Sequence, residues 1–256
     1  GRTLESTLAD RPGGFRFSHD SDRLVTQLKR GGQWFVWEDG RLSEPWDAMG
    51  AGSLRFSFDA KHLAYAGRRQ GRWHVVLDGR PGPANDGLLR DSMQFNITGD
   101  RLAYAARLGE RWHLFVDGQP RHGHHAIRPS SITFSFDGTR LGYIAENANG
   151  QAVVVVDHQH HRPVEDARSL TFSTDSSTAA WVAKRQDQWR IVANGIEGRH
   201  TWDRWVDGAE LRFRSADRMF ILGFRRRAME GVRIEARLFR GHHTPDATWV
   251  EGDIAQ

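Results

Sequence analysis

An all-β fold assembled from repeated four-stranded units is predicted by three observations. A marker phenylalanine recurs at Phe17, Phe56, Phe95, Phe134, Phe172 and Phe213, at spacings of 39, 39, 39, 38 and 41 residues. Between markers lie short runs with two-residue alternation, such as LRFS, LAYA and WHVVL between Ser53 and Gly79, a period that excludes helix. Each third run ends in a turn pair: Asp39-Gly40, Asp78-Gly79, Asp117-Gly118, Asp157-His158 or Asn194-Gly195. Asp-Gly and Asn-Gly tolerate positive φ and so favour tight hairpins.

The elements follow in order within each unit. Seven residues after the marker, the second run opens on Leu24, Leu63, Leu102, Leu141 or Ala179. Two residues further on stand Tyr65, Tyr104, Tyr143 and Trp181, with Thr26 as the exception in the first copy. The third run carries Trp34, Trp73, Trp112 and Trp189, expected to be core. A shorter fourth segment leads to the next marker, with Asp47 and Asp86 expected to cap the turn into it.

Six units of four strands describe a six-bladed β-propeller. One unit leaves both sheet faces uncovered, whereas stacking around an axis buries them and closing the ring removes the edges. No linker interrupts the repeats, which start near Gly14, Ser53, Ser92, Ser131, Ser169 and Glu210, so residues 1–256 are expected to form one domain. The sixth copy (Arg212 to Gly241) is degenerate, and closure through Thr248-Trp249-Val250 or through Thr3 to Leu8 is open.

The strings FSHD, FSFD, FSFDG and FSTD, each followed by an LAYA-like strand, resemble the WD-like repeat of TolB-like propellers. Those carry Phe-Ser-Pro-Asp-Gly at this point and fold as six blades. Here the proline is absent throughout and the glycine appears only as Gly138. The resemblance covers most of the chain and implies fold more than activity. Such propellers serve as protein-interaction modules, envelope components and peptidase gates. The repeats occupy the chain, so no attached peptidase domain is expected.

Composition narrows the classes. The 36 basic and 32 acidic residues are interspersed, and only Lys29, Lys61 and Lys184 are lysines. Basic residues are not gathered on one element, which argues against nucleic acid. Heavy Arg, Gly and Ala use is associated with GC-rich bacterial genomes, so a bacterial source is expected. The absence of cysteine excludes disulfides and thiolate metal sites. No apolar run approaches the roughly 18 residues of a membrane span. A start at Gly1 indicates trimming, so an export signal could have been removed, and a soluble protein of cytoplasm or periplasm fits equally.

In a symmetric array, departures from the repeat are where function is sought. His122, His124 and His125, then His158, His160 and His161, form two H-x-H-H clusters, with His242-His243 in the corresponding loop of the sixth copy. Such spacing suits zinc, nickel or copper, yet no carboxylate motif accompanies it, so solvated surface histidines and no metal or other cofactor are expected. No positioned nucleophile or phosphate-binding glycine string occurs. Trp37, Trp46, Trp202, Trp205 and Trp249 lie outside the repeated Trp position. Trp46 and Trp202 fall in apparent loops where a flat aromatic face could hold a ligand.

The residue before each marker alternates away from the buried Phe and is expected beside the axis. It is Arg16, Arg55, Gln94, Thr133, Thr171 and Arg212 in turn. Two residues earlier the same face carries Gly14, Ser53, Ser92, Ser131, Ser169 and then Glu210, while Arg214 replaces a small polar residue after Phe213. Arginine forks suit carboxylate or phosphate. The expected function is therefore a monomeric, non-enzymatic binding or scaffold module for a protein partner or small anionic ligand, with Arg16, Arg55 and Arg212 as its anion site. The alternative is a hydrolase or lyase with a polar site at the mouth of the central channel.

Overall fold

A computed structural model describes residues 11–12, 14–199, 201–205, 210–215, 218–225 and 228–234. Among them every regular element is a β-strand, and no helix is long and apolar enough to cross a membrane. The chain divides into two compact units, Gly1–Gly123 and His124–Gln256.

The first unit holds three antiparallel sheets of one design. In the second sheet, Ala48–Met49 and Arg55–Phe56 form a split first strand along Leu63–Arg69, followed by Arg72–Leu77 and Arg80–Pro81. The first sheet repeats this with Arg16–Phe17, Leu24–Arg30, Gln33–Glu38 and Arg41–Leu42. The third has Gln94–Phe95, Leu102–Leu108, Arg111–Val116 and Gln119–His124. The second unit repeats the design around Leu141–Glu146, Ala179–Arg185 and Arg218–Arg225.

The LAYA string explains how the sheets pack. Leu63 and Tyr65 cluster with Val25, Val36 and Trp46 of the preceding sheet, while Ala64 clusters with Leu102, Tyr104 and Phe115 of the following one. The same division recurs in the second unit, with Ala179 and Trp181 facing back and Ala180 and Val182 facing forward. Large side chains thus point one way and small ones the other, so both strand faces are buried.

Repeated polar residues hold the turns. Ser18, Ser57, Ser135 and Ser173 each donate to the aspartate two residues on and accept the backbone N–H five residues on. Asp39, Asp78, Asp117, Asp157 and Asn194 sit at φ between 43° and 53° and accept from the first residue of the second strand. The marker strings are therefore signatures of turn chemistry.

One device was hidden in the sequence. Gly52, Asp91 and Ser130, each four residues before a marker, are left-handed (φ 68°, 58° and 58°) and split the first strand. The following serine staples the kink: Ser53, Ser92 and Ser131 accept from the N–H of Ala66, Ala105 and Ile144. Each serine thus holds the kink against the second strand. In the fifth copy the spacing shortens to 38, and Ser169 (φ 54°), three residues before Phe172, becomes the bulge within the continuous strand Asp166–Phe172.

Two expectations are corrected. Asp47 and Asp86 cap the hairpin between second and third strands of the following sheet, accepting from Gln70 N at 2.8 Å and Gly109 N at 2.7 Å. Phe17 is 63% exposed although Phe172 is 2% exposed. Phe56 and Phe172 are covered by Arg23 and Arg140 from the preceding sheet of their unit, and Phe17 belongs to the first sheet of its unit.

Candidate functional site

Strand pairing places the residue before each marker on the first strand of its sheet: Arg16 opposite Val25, Arg55 opposite Ala64, Gln94 opposite Ala103, Thr133 opposite Gly142, Thr171 opposite Ala180 and Arg212 opposite Phe220. In the first unit two of them come together. Arg16 and Arg55 line an open groove of about 480 Å³ with Phe17, His19, Leu54 and Phe56. Arg16 is exposed and forms no ion pair with another described residue. Arg55 is half-buried; its Nη1 donates to Gly52 O at 3.2 Å, while its Nη2 lies 3.8 Å from Asp91 Oδ1. That separation exceeds a hydrogen bond, so the charge of Arg55 is only partly satisfied. Gln94 is exposed and lies outside this groove.

Exposed aromatic side chains accompany the arginines, a feature the repeat alignment missed. Phe15 and Phe17 are 50% and 63% exposed, and Phe58 (57%) lies against the His19 ring at 4.8 Å. The signal was present in FSFD, where an apolar residue stands in a turn that normally faces water.

In the second unit Thr133 and Thr171 are half-buried, and Arg214 is exposed. Arg212 and Glu210 are exposed and paired with each other, with Arg212 Nη2 2.9 Å from Glu210 Oε2.

The tryptophan candidates are corrected. Trp46 and Trp202 are 2% and 3% exposed, so neither offers a face to a ligand. Both form backbone bridges, to Trp34 and Trp189, that continue the sheet edge through what reads as a loop. Trp46 packs on Gly67 and under the Arg69 guanidinium at 4.4 Å. Trp249, like His242 and His243, lies outside the described residues.

The histidine clusters separate by environment. His122, His125, His158 and His160 are exposed. His124 is buried, contrary to the surface expectation; its Nε2 lies 2.9 Å from Tyr143 Oη and its ring is 5.3 Å from that of His160. His161 is half-buried against Trp181, and burial lowers its pKa. Among the described residues no three His, Asp or Glu side chains converge as a metal site requires.

A second open groove, of about 640 Å³, lies in the second unit between Glu165, Asp166, Arg168, Lys184, Asp187 and Arg204. Its carboxylates are engaged: Asp166 with Arg128 and Arg168, Asp187 with Lys184 at 2.8 Å. The groove therefore reads as a surface ion-pair network rather than a catalytic carboxylate pair.

A four-stranded meander, repeated in one register and buried on both faces, is the building block of TolB-like and WD-repeat-like propellers. The repeated sheet is a propeller blade. No protein-family profile matches the sequence, and no curated protein does. Among solved structures, a eukaryotic initiation factor is similar at 11% identity and TM-score 0.51, over 98% of this chain and 66% of that one. TolB from Acinetobacter baumannii matches at 11% identity and TM-score 0.40, over 73% of this chain and 53% of its own. The β-propeller domain of the Trilobed protease from Pyrococcus furiosus matches at 8% identity and TM-score 0.42, over 94% and 86% of the two chains. The chain thus spans about half of that TolB structure and about two thirds of the initiation-factor structure. At these identities the likeness concerns fold alone.

Proposed function

We propose that the chain is a six-bladed, single-domain propeller that acts as a non-enzymatic binding module. Its groove at Arg16 and Arg55 takes an acidic segment of a protein partner. The observation that carries this reading is the convergence of two incompletely neutralised guanidinium groups with exposed Phe17, beside which Phe58 lies against His19 of the groove. Arginine forks bind carboxylates in two-point fashion, and exposed aromatic residues mark interaction surfaces. Arg212, the third arginine of the expected anion site, is paired with Glu210.

The test uses a fluorescein-labelled peptide of alternating glutamate and phenylalanine, read by fluorescence anisotropy, beside its lysine counterpart. The glutamate peptide is expected to bind with a steep salt dependence, and the lysine peptide not to bind. Arg16→Met with Arg55→Met should weaken binding about tenfold or more while the melting temperature is kept. Equal affinity for the two peptides, or unchanged affinity in a folded double variant, overturns the proposal. Inorganic phosphate as sole competitor distinguishes a small-anion site from a peptide site.

A further inference from the structure

The junction between the second and third sheets, both in the first unit, departs from the repeat at several positions. Where Arg23 and Arg140 reach carbonyls of the following sheet, the equivalent residue is His62, which instead meets Asp78 of its own sheet at 2.6 Å. Where Trp46, His124 and Trp202 stand as large buried side chains, the equivalent residue is Asn85.

A cavity of about 290 Å³ opens at this junction, with Ala66, Val75, Trp73, Met49 and Leu88 as apolar walls. Tyr104, 2% exposed, belongs to its buried lining, and the Tyr104 hydroxyl has no hydrogen-bond partner. The equivalent Tyr143 hydroxyl is bonded to His124 Nε2 at 2.9 Å. Asn85 Oδ1, at the position matching His124, is likewise buried without a partner. Of these two, Tyr104 lines the cavity, and an unmet buried hydroxyl is costly unless something enters to meet it. The exposed end of the cavity carries Arg55, Arg90 and Asp91, two guanidinium groups against one carboxylate.

We propose that this cavity is a binding site for a small aromatic acid whose ring lies between the apolar walls. A hydroxyl on the ligand meets the Tyr104 hydroxyl at the buried end, and its carboxylate meets Arg55 at the exposed end. The site adjoins the acidic-peptide groove, with Arg55 bordering both.

The experiment titrates 4-hydroxyphenylacetate, phenylacetate and tyramine into the whole protein, with calorimetry and melting temperature as readouts. The hydroxylated acid is expected to bind and to raise the melting temperature. Phenylacetate, which lacks the hydroxyl, should bind about tenfold more weakly. Tyramine, with a cation in place of the carboxylate, should be weaker still. Tyr104→Phe should make the two acids equal, since its own hydroxyl is the group being read. Leu88→Trp, at a half-buried wall, should block both acids yet leave the glutamate-phenylalanine peptide bound, which separates this site from the groove.

Three results overturn the assignment. The first is that none of the three compounds binds, which leaves a cavity for water only. In the second, Tyr104→Phe keeps the full difference between the acids. In the third, a folded Leu88→Trp protein binds 4-hydroxyphenylacetate unchanged.

Discussion

Gly67→Ala is expected to destabilise the protein, and only because of Trp46. A Cβ at Gly67 would lie 2.5, 2.6 and 2.9 Å from three carbons of the Trp46 ring system, closer than carbon atoms pack. That ring is 2% exposed and is flanked along the same strand face by Tyr65, edge-on at 6.3 Å, and by Arg69 at 4.4 Å. It has little room to give way. Overpacking of this kind costs about 1–3 kcal/mol, and the stiffer unfolded chain of the alanine variant offsets about 0.4–1 kcal/mol. The net loss is roughly 0–2.6 kcal/mol, a fall of up to about 10 °C in melting temperature for a chain of this size. The repeats support the pairing, because Ala106, Ala145 and Ala183 occupy the Gly67 position where Asn85, His124 and Val164 replace the tryptophan. Glycine returns as Gly223 where tryptophan returns as Trp202. A double-mutant cycle with Trp46→Val, followed by urea and thermal melts under circular dichroism, measures the coupling. Gly67→Ala should become neutral or stabilising in the valine background, with a coupling of about 1 kcal/mol or more. An equal cost in both backgrounds, or a higher melting temperature for Gly67→Ala alone, refutes the reasoning.

Two other predictions concern polar groups. Serine hydroxyls hold Asp59 (from Ser57) and Asp137 (from Ser135) down to about 2, and Asp20, Asp100 and Asp175 are lowered in the same way by Ser18, Thr98 and Ser173. A carboxylate lowered by folding favours the folded state above its unfolded pKa near about 3.9 and loses that contribution as pH falls through the folded value. The melting temperature should therefore be flat above about pH 5 and fall between about pH 4 and 2, and Ser57→Ala with Ser135→Ala should reduce that slope; an unchanged slope counts against the turn network. Arg140→Ala removes bonds to Asp157 and to the Ser176 and Ser177 carbonyls together with the cover over Phe172, so a loss of about 1–3 kcal/mol in urea melts is expected, and Arg140→Lys should not restore it.

The period and the four-strand unit were legible because most copies place the same residues at the same turns. Ser18, Ser57, Ser135 and Ser173 with their aspartates, and the positive-φ residues from Asp39 to Asn194, fix those turns in place. The proximity of Arg16 and Arg55 was legible in part, since strand parity alone puts both on one face of consecutive sheets. The kink was not, because glycine, aspartate and serine all fill its left-handed position at Gly52, Asp91 and Ser130. Trp46 and Trp202 were misread because a one-residue bridge leaves no alternating run to announce a strand. The cavity beside Tyr104 was invisible for a deeper reason: its walls come from separate strands and turns of two sheets, and no local pattern reports the space between them.

The arginine contacts between sheets also give each unit a direction. Arg23 donates forward to the carbonyls of Ala60 and Lys61, and Arg140 donates forward to Ser176 and Ser177; in each case the donor belongs to the earlier sheet and the acceptors to the later. Loss of the earlier sheet strips a turn of the charged donor that satisfies its paired carbonyls. Loss of the later sheet merely frees a guanidinium, which water hydrates readily. Like overlapping roof tiles, the sheets are fastened from one side, so erosion from the amino-terminal edge undermines what remains more than erosion from the other.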